Sequence, residues 1–132
     1  FIMASWVFDA FRIFPRLALI SPEKRCGKST LMEIISCVTN RSKMVSNASA
    51  AVISRIGDGE PPTLLLDEAD TFIKNADPFV IGIINSGHCK ATAKVLKCDG
   101  ENHEPRSFST WMPVVLASIG ELSDTIMDRS IV

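Results

Sequence analysis

The sequence predicts an α/β fold of three layers, with helices on both faces of a mostly parallel sheet and a β-hairpin inserted before a central strand. Three observations carry this expectation. Short apolar runs recur at Leu17–Ile20, Thr63–Leu66 and Pro113–Ala117, as expected of strands covered by helices on both sides. Between them lie stretches with helical spacing and helix-type stop signals. Residues 91–98 and 106–110 flank a polar loop and read as a hairpin. Strands alternating with helices are the pattern of a parallel layered fold.

Bulk properties set the frame. The chain has 132 residues, 46% of them hydrophobic, which suits one domain over 1–132 with a substantial core. Its 14 basic and 15 acidic residues balance, so no overall field recruits nucleic acid or an anionic membrane, and any such contact needs a local patch. No apolar run reaches the roughly 20 residues of a membrane span. The apolar start at Phe1–Phe8 is short, lacks a basic leader and runs into Asp9 and Arg12. The four cysteines are too sparse for a disulfide scaffold, so a cytoplasmic location is expected. The first residue is Phe1 and the last two are Ile131 and Val132, which reads as a piece of a longer protein without a helical lid.

Taken in order, residues 1–13 suit a short helix ending before Pro15. Leu17–Ile20 is the first strand. After a sharp loop, Leu31, Ile34, Ile35 and Val38 fall at i, i+3, i+4 and i+7, predicting one core-facing helical stripe. Lys43–Ser46 is a short second strand. Asn47 is placed to cap a helix over Ala48–Ile56 that Gly57 stops. Breakers at 57–62 lead into the strand Thr63–Leu66. Asp77-Pro78 is a cap and first-turn proline for a helix through Ile84 that Gly87 ends. The hairpin and Pro113–Ala117 follow. Ser123 then caps a short helix to Asp128, and residues 129–132 begin a last strand.

Chemistry concentrates at two strand ends. Ser21-Pro22-Glu23-Lys24-Arg25-Cys26-Gly27-Lys28-Ser29-Thr30 follows the first strand and opens a helix. It meets the phosphate-loop pattern G-x-x-x-x-G-K-[ST] at Gly27, Lys28 and Ser29, with Pro22 in place of the first glycine. Gly27 allows close backbone approach. Lys28 is a compact charge for the β- and γ-phosphates, Ser29 offers a hydroxyl to Mg²⁺, and Thr30 adds a polar first-turn residue. A lysine at a helix N-terminus runs against the helix dipole, so it makes better sense with phosphate present. At the second strand end, Asp67 and Glu68 follow Leu64-Leu65-Leu66 about forty residues later. Such a pair supplies a metal-holding carboxylate, Asp67, and a general base, Glu68. Asp70 reads as the solvated start of a helix.

Two further positions each have two readings. Ser118, at the tip of the strand 113–117, is either a polar group orienting water near the γ-phosphate or a plain turn serine. Arg129 either stabilises a transferring phosphoryl group, from its own or a neighbouring subunit, or pairs with Asp124 or Asp128. Lys90, Lys94 and Lys97 give the hairpin region a small basic cluster, which serves either phosphate contact with DNA or protection of an exposed sheet edge. His88-Cys89 and Cys98 with His103 lack the paired-cysteine spacing of a zinc site.

In these residues the chain resembles the AAA+ class of P-loop ATPases: phosphate loop at 21–30, acidic strand at 63–68, Ser118, and a Leu-x-x-x-x-x-x-Arg box at 122–129. The wording of 21–29, 64–72 and 128–132 is similar to an uncharacterised bacterial and phage domain-of-unknown-function family associated with primase-helicase-like proteins. The resemblance implies a P-loop NTPase fold with a five-stranded sheet, ATP with Mg²⁺ as cofactors, a loop 22–30 around the phosphates, and a ring in which Arg129 serves a neighbouring subunit. It also implies a hairpin that touches single- or double-stranded DNA. Pro22 leaves a second expectation open, a nucleotide-gated binding module with little turnover.

Overall fold

Five parallel strands form the central sheet of the computed structural model, in the order β2-β3-β6-β1-β7: β1 (Arg16–Ser21), β2 (Lys43–Val45), β3 (Leu64–Leu66), β6 (Val114–Ile119) and β7 (Ser130–Ile131). The structure describes residues 1–46, 50–57, 59–75, 78–99 and 104–132. The expected caps Asn47 and Asp77, and the hairpin loop with His103, lie outside them. The helices are α1 (Ile2–Ser5), α2 (Lys28–Val38), α3 (Ala50–Gly57), α4 (Ala69–Asn75), α5 (Pro78–Ser86) and α6 (Asp124–Met127). No helix among the described residues is long and apolar enough to cross a membrane.

Alternation along the two central strands divides the core into two faces. Leu64, Leu66, Val114 and Leu116 pack with Ile53 of α3, Val80, Ile83 and Ile84 of α5, and Ile126 of α6. Leu65, Val115 and Ala117 face the other way onto Met32 and Ile35 of α2. Both faces of β3 and β6 are covered, which is why those strands read as unbroken apolar runs. The sheet is thus the middle of three layers, and β1 and β3 end on the same edge because all strands are parallel.

Two expectations about helices are corrected. Residues 1–13 do not form one helix: α1 is four residues, a 3-10 turn follows at Phe8–Ala10, and Ile13 bridges antiparallel to Cys89. Phe8 and Phe14 instead turn inward onto Trp111, with Phe1 beside them. A helix that short is marginal by itself, so the aromatic packing decides. On α2 the buried residues are Met32 and Ile35, whereas Leu31, Ile34 and Val38 are 44%, 57% and 42% exposed. The helix carries two apolar stripes, and its docking on Leu65, Val115 and Ala117 selects the narrower one.

The hairpin is present, as β4 (Lys94–Asp99) and β5 (Glu104–Ser109), antiparallel and outside the main sheet. Phe108 is buried, the half-buried Val95 opposite it packs on the core, and the Arg106 guanidinium lies 5.1 Å over the Phe108 ring. Lys97 stands opposite Arg106 in the register.

Where β1 begins, Arg16 is fully buried. Its guanidinium donates to the Ile84 carbonyl from Nε (3.3 Å) and Nη2 (2.7 Å), and to the Met112 carbonyl from Nη1 (2.9 Å). Ile84 lies in the last turn of α5, where the helix dipole favours a cation. Burial, with Arg129 nearby, pushes the Arg16 pKa down to about 9, so it stays charged at neutral pH.

Candidate functional site

At the carboxyl edge of the sheet, the loop after β1 and the turn after β3 face each other across a cleft of about 450 Å³. This is where ligands settle in parallel α/β sheets. Lys24, Arg25, Cys26, Gly27, Lys28, Ser29 and Thr30 line one wall; Asp67, Glu68, Asp70 and Ile119 line the other. One wall is cationic and the other anionic.

The loop reverses without a glycine at 22. Arg25 and Gly27 both adopt left-handed backbone, at φ +62° and +78°, and the Ser21 hydroxyl donates to the Glu23 carbonyl at 2.7 Å, drawing the turn closed. Gly27 is the residue before α2, and the first helical bond runs from Leu31 N–H to the Gly27 carbonyl at 3.0 Å. The amides of Lys28, Ser29 and Thr30 therefore have no acceptor within the helix. That end of α2 borders the cleft and suits an anion. The Lys28 ammonium donates to the Ser21 hydroxyl and lies 3.5 Å from the Glu23 carbonyl.

The opposing turn is held just as closely. The Asp67 amide donates to the Val45 carbonyl at 3.0 Å, fixing the end of β3 to β2. Its Oδ1 accepts the Glu68 amide at 2.9 Å, and its Oδ2 accepts the Ser29 hydroxyl at 3.3 Å, a contact between residues 38 apart in sequence. A hydroxyl and a carboxylate oxygen this close are hard donors of the kind that could hold Mg²⁺. Glu68 is exposed and sits at φ +52°. A non-glycine residue held there costs on the order of 1 kcal/mol, and such strain clusters at functional sites.

Of the expected site residues, those at 24–30, Asp67 and Glu68 meet in this cleft. Pro22 instead lines an apolar cleft of about 430 Å³ on the other side of the loop, with Leu31 and Val132; Cys26, Gly27 and Lys28 border both. Glu23 contributes its carbonyl to the Ser21 and Lys28 contacts. Ser118 is fully buried, and its hydroxyl donates to the Gly120 carbonyl at 2.9 Å, so it does not line the cleft. Arg129 donates from Nη1 to the Asn85 carbonyl at 3.1 Å, at the end of α5 and away from the cleft. Lys90 is ion-paired with Asp9 at 2.7 Å, while Lys94 is exposed.

Ile119 carries no signal in the sequence; Ser21 opens the loop without an assigned role, and Asp70, expected as the solvated start of a helix, is corrected. Asp70 is half-buried in the cleft wall, where its Oδ1 accepts the Ile119 amide at 3.3 Å. Its spacing from Asp67, one helical turn, was the available signal. No protein-family model matches the chain, and no curated protein matches it.

Proposed function

We propose that this chain is the core of an Mg²⁺-dependent ATPase of the P-loop class, AAA+-like, that hydrolyses ATP in DNA replication or mobile-element maintenance, as a helicase or primase-helicase component. The observation that carries the reading is the Ser29–Asp67 contact, 3.3 Å across the cleft. It brings the hydroxyl after the loop lysine onto the first acid after β3, at the carboxyl edge of a parallel sheet.

In this reading Lys28 and the amides at the start of α2 bind the β- and γ-phosphates. Lys24 and Arg25 add positive charge at the mouth of the site. Ser29 and Asp67 would hold Mg²⁺, which when bound neutralises phosphate charge. Glu68, exposed and pre-set by its backbone, takes the proton of the attacking water. The apolar cleft lined by Pro22 and Leu31 has room for the base. Arg129 reaches a neighbouring subunit of a ring only by leaving Asn85. DNA contact by the hairpin region falls to Lys94 rather than to Lys90, which Asp9 holds; the Lys97 side chain lies outside those described.

The test is steady-state ATP hydrolysis with Mg²⁺, beside nucleotide binding, for the wild type and Glu68→Gln. Loss of a general base lowers turnover by about 10²–10⁴-fold, so Glu68→Gln should bind ATP normally and turn over at least a hundredfold more slowly. Equal hydrolysis by both proteins sinks the assignment. The second reading, a nucleotide-gated binding module, is favoured by Lys28 already docked on Ser21 and Glu23 within its own loop. It predicts ATP binding with negligible turnover that single-stranded DNA does not stimulate.

A further inference from the structure

The acids at 67 and 68 have roles in the proposed ATPase, but the third acid of the cleft does not, and its contacts are unusual. Asp70 lies in the first turn of α4, yet its carboxylate reaches across to accept the Ile119 amide at the tip of β6. That tip is also fixed to the phosphate loop. Ile119 pairs with Ser21 in the parallel register, and the Gly120 amide donates to the Ser21 carbonyl at 2.9 Å. Ser21 in turn accepts the Lys28 ammonium on its hydroxyl. One continuous set of hydrogen bonds therefore runs from the acidic turn, through the tip of β6, to the loop lysine.

Glu68 stands at the joint between β3 and α4. Backbone on its N-terminal side belongs to β3, which is fixed in the sheet. On its C-terminal side α4 begins, and the Thr71 amide donates to the Glu68 carbonyl at 3.0 Å. α4 has only seven residues, too few for intrinsic helical stability, so its position depends on what holds it: Ala69 and Ile73 pack on the core, and Asp70 supplies the polar contact to the tip of β6. Glu68 also keeps a left-handed backbone that relaxes unless its surroundings impose it.

We infer that Asp70 is a positioning residue: by gripping the Ile119 amide it fixes α4 to the tip of β6 and so sets the place of Glu68 relative to the phosphate loop. Its acceptor oxygen matters and its charge does not, because an asparagine carbonyl accepts the same amide. This inference rests on the ATPase reading for its catalytic consequence, and the latch itself is measurable without catalysis.

The experiment compares wild type, Asp70→Ala and Asp70→Asn in three readouts. These are kcat and KM for ATP, the affinity for a non-hydrolysable ATP analogue, and backbone amide exchange at Ile119 in the nucleotide-free protein. Asp70→Ala should lower kcat by about tenfold or more, the factor that about 1.4 kcal/mol of lost positioning produces. Analogue affinity should stay within about threefold, because the Lys28 and Ser29 contacts remain. The Ile119 amide should exchange at least tenfold faster, and Asp70→Asn should restore both exchange and kcat. Unchanged Ile119 exchange in Asp70→Ala overturns the latch, whether or not the protein hydrolyses ATP. Faster exchange with unchanged kcat, or an asparagine variant as impaired as alanine, overturns the positioning role. A wild type that binds no ATP instead removes the ATPase reading, and the exchange result then decides the latch alone.

Discussion

Gly87, just past the end of α5, is the position where adding one methyl group should cost most. A Cβ there would lie 2.2 Å from the Thr110 carbonyl oxygen, 3.1 Å from its carbon and 2.5 Å from Nη2 of Arg16. The first distance is about 1 Å short of ordinary van der Waals contact. Neither neighbour gives way freely. Thr110 is fully buried at the joint between β5 and β6, and its amide donates to the Ala93 carbonyl at 2.9 Å. Arg16 Nη2 is committed to the Ile84 carbonyl at 2.7 Å.

Overpacking of this kind costs about 1–3 kcal/mol, and displacing a charged hydrogen bond about 1.5–3 kcal/mol more. Gly87→Ala should therefore destabilise the protein by about 3–6 kcal/mol, a large share of the roughly 5–15 kcal/mol of a typical domain. Gly82 is the internal control. It lies within α5 with nothing inside 4 Å of where a Cβ would stand, and Gly82→Ala should stabilise by about 0.5–1 kcal/mol through helix propensity. Urea denaturation at constant m-value measures both. If Gly87→Ala falls within about 1 kcal/mol of the wild type, the close approach of α5 to Thr110 and Arg16 is wrong.

Three other expectations concern the loop, α2 and the N-terminal segment. Arg25→Gly should raise stability by up to about 1 kcal/mol, because glycine adopts the φ of +62° without strain; a loss of stability on denaturation would argue against that backbone. On α2, Ile35→Ala should cost about 2–4 kcal/mol and Ile34→Gln less than about 0.5 kcal/mol, since only Ile35 is buried. A reversed order in melting experiments would put Ile34 in the core, where the stripe expected from periodicity places it. The hydrogen bond from Lys90 holds the Asp9 carboxyl below its ordinary pKa of 3.8. That pair contributes stability above the ordinary value and loses it as pH falls through the lowered one. The melting difference between wild type and Lys90→Met should thus be greatest near neutrality and shrink in strong acid, where only the bond from Lys90 to the Asp9 carbonyl remains; a difference that does not shrink contradicts the pairing.

Much of the layered architecture was legible because both faces of β3 and β6 are buried, and burial on both sides writes itself as unbroken apolar runs such as Leu64-Leu65-Leu66. The hairpin was legible for the complementary reason, two strands around a polar break. Segments 1–13 and 31–38 misled because their apolar residues satisfy more than one arrangement. Phe1, Phe8 and Phe14 fit a helix as well as they fit the cluster around Trp111. Leu31, Ile34, Ile35 and Val38 form as good a stripe as Met32 and Ile35, and only Ile35 belongs to both. Local pattern cannot rank such alternatives when the deciding partner, Trp111 or Val115, is some eighty residues away or more.

The same division holds at the cleft. The residues after the two strands, Lys28-Ser29 and Asp67-Glu68, were determined by sequence alone, since a glycine-lysine-serine helix start and a paired acid at a strand end are local patterns. Tertiary structure decided what those groups do to one another. Parallel strand order carried Asp67 to within 3.3 Å of Ser29, turned Ser118 onto the Gly120 carbonyl, bound Arg129 to the end of α5 and set Asp70 against the Ile119 amide. Each is a hydrogen bond whose geometry depends on where a strand tip or helix end falls. One residue of register moves a side chain to the opposite face of a sheet, so no reading of residue types along the chain settles it.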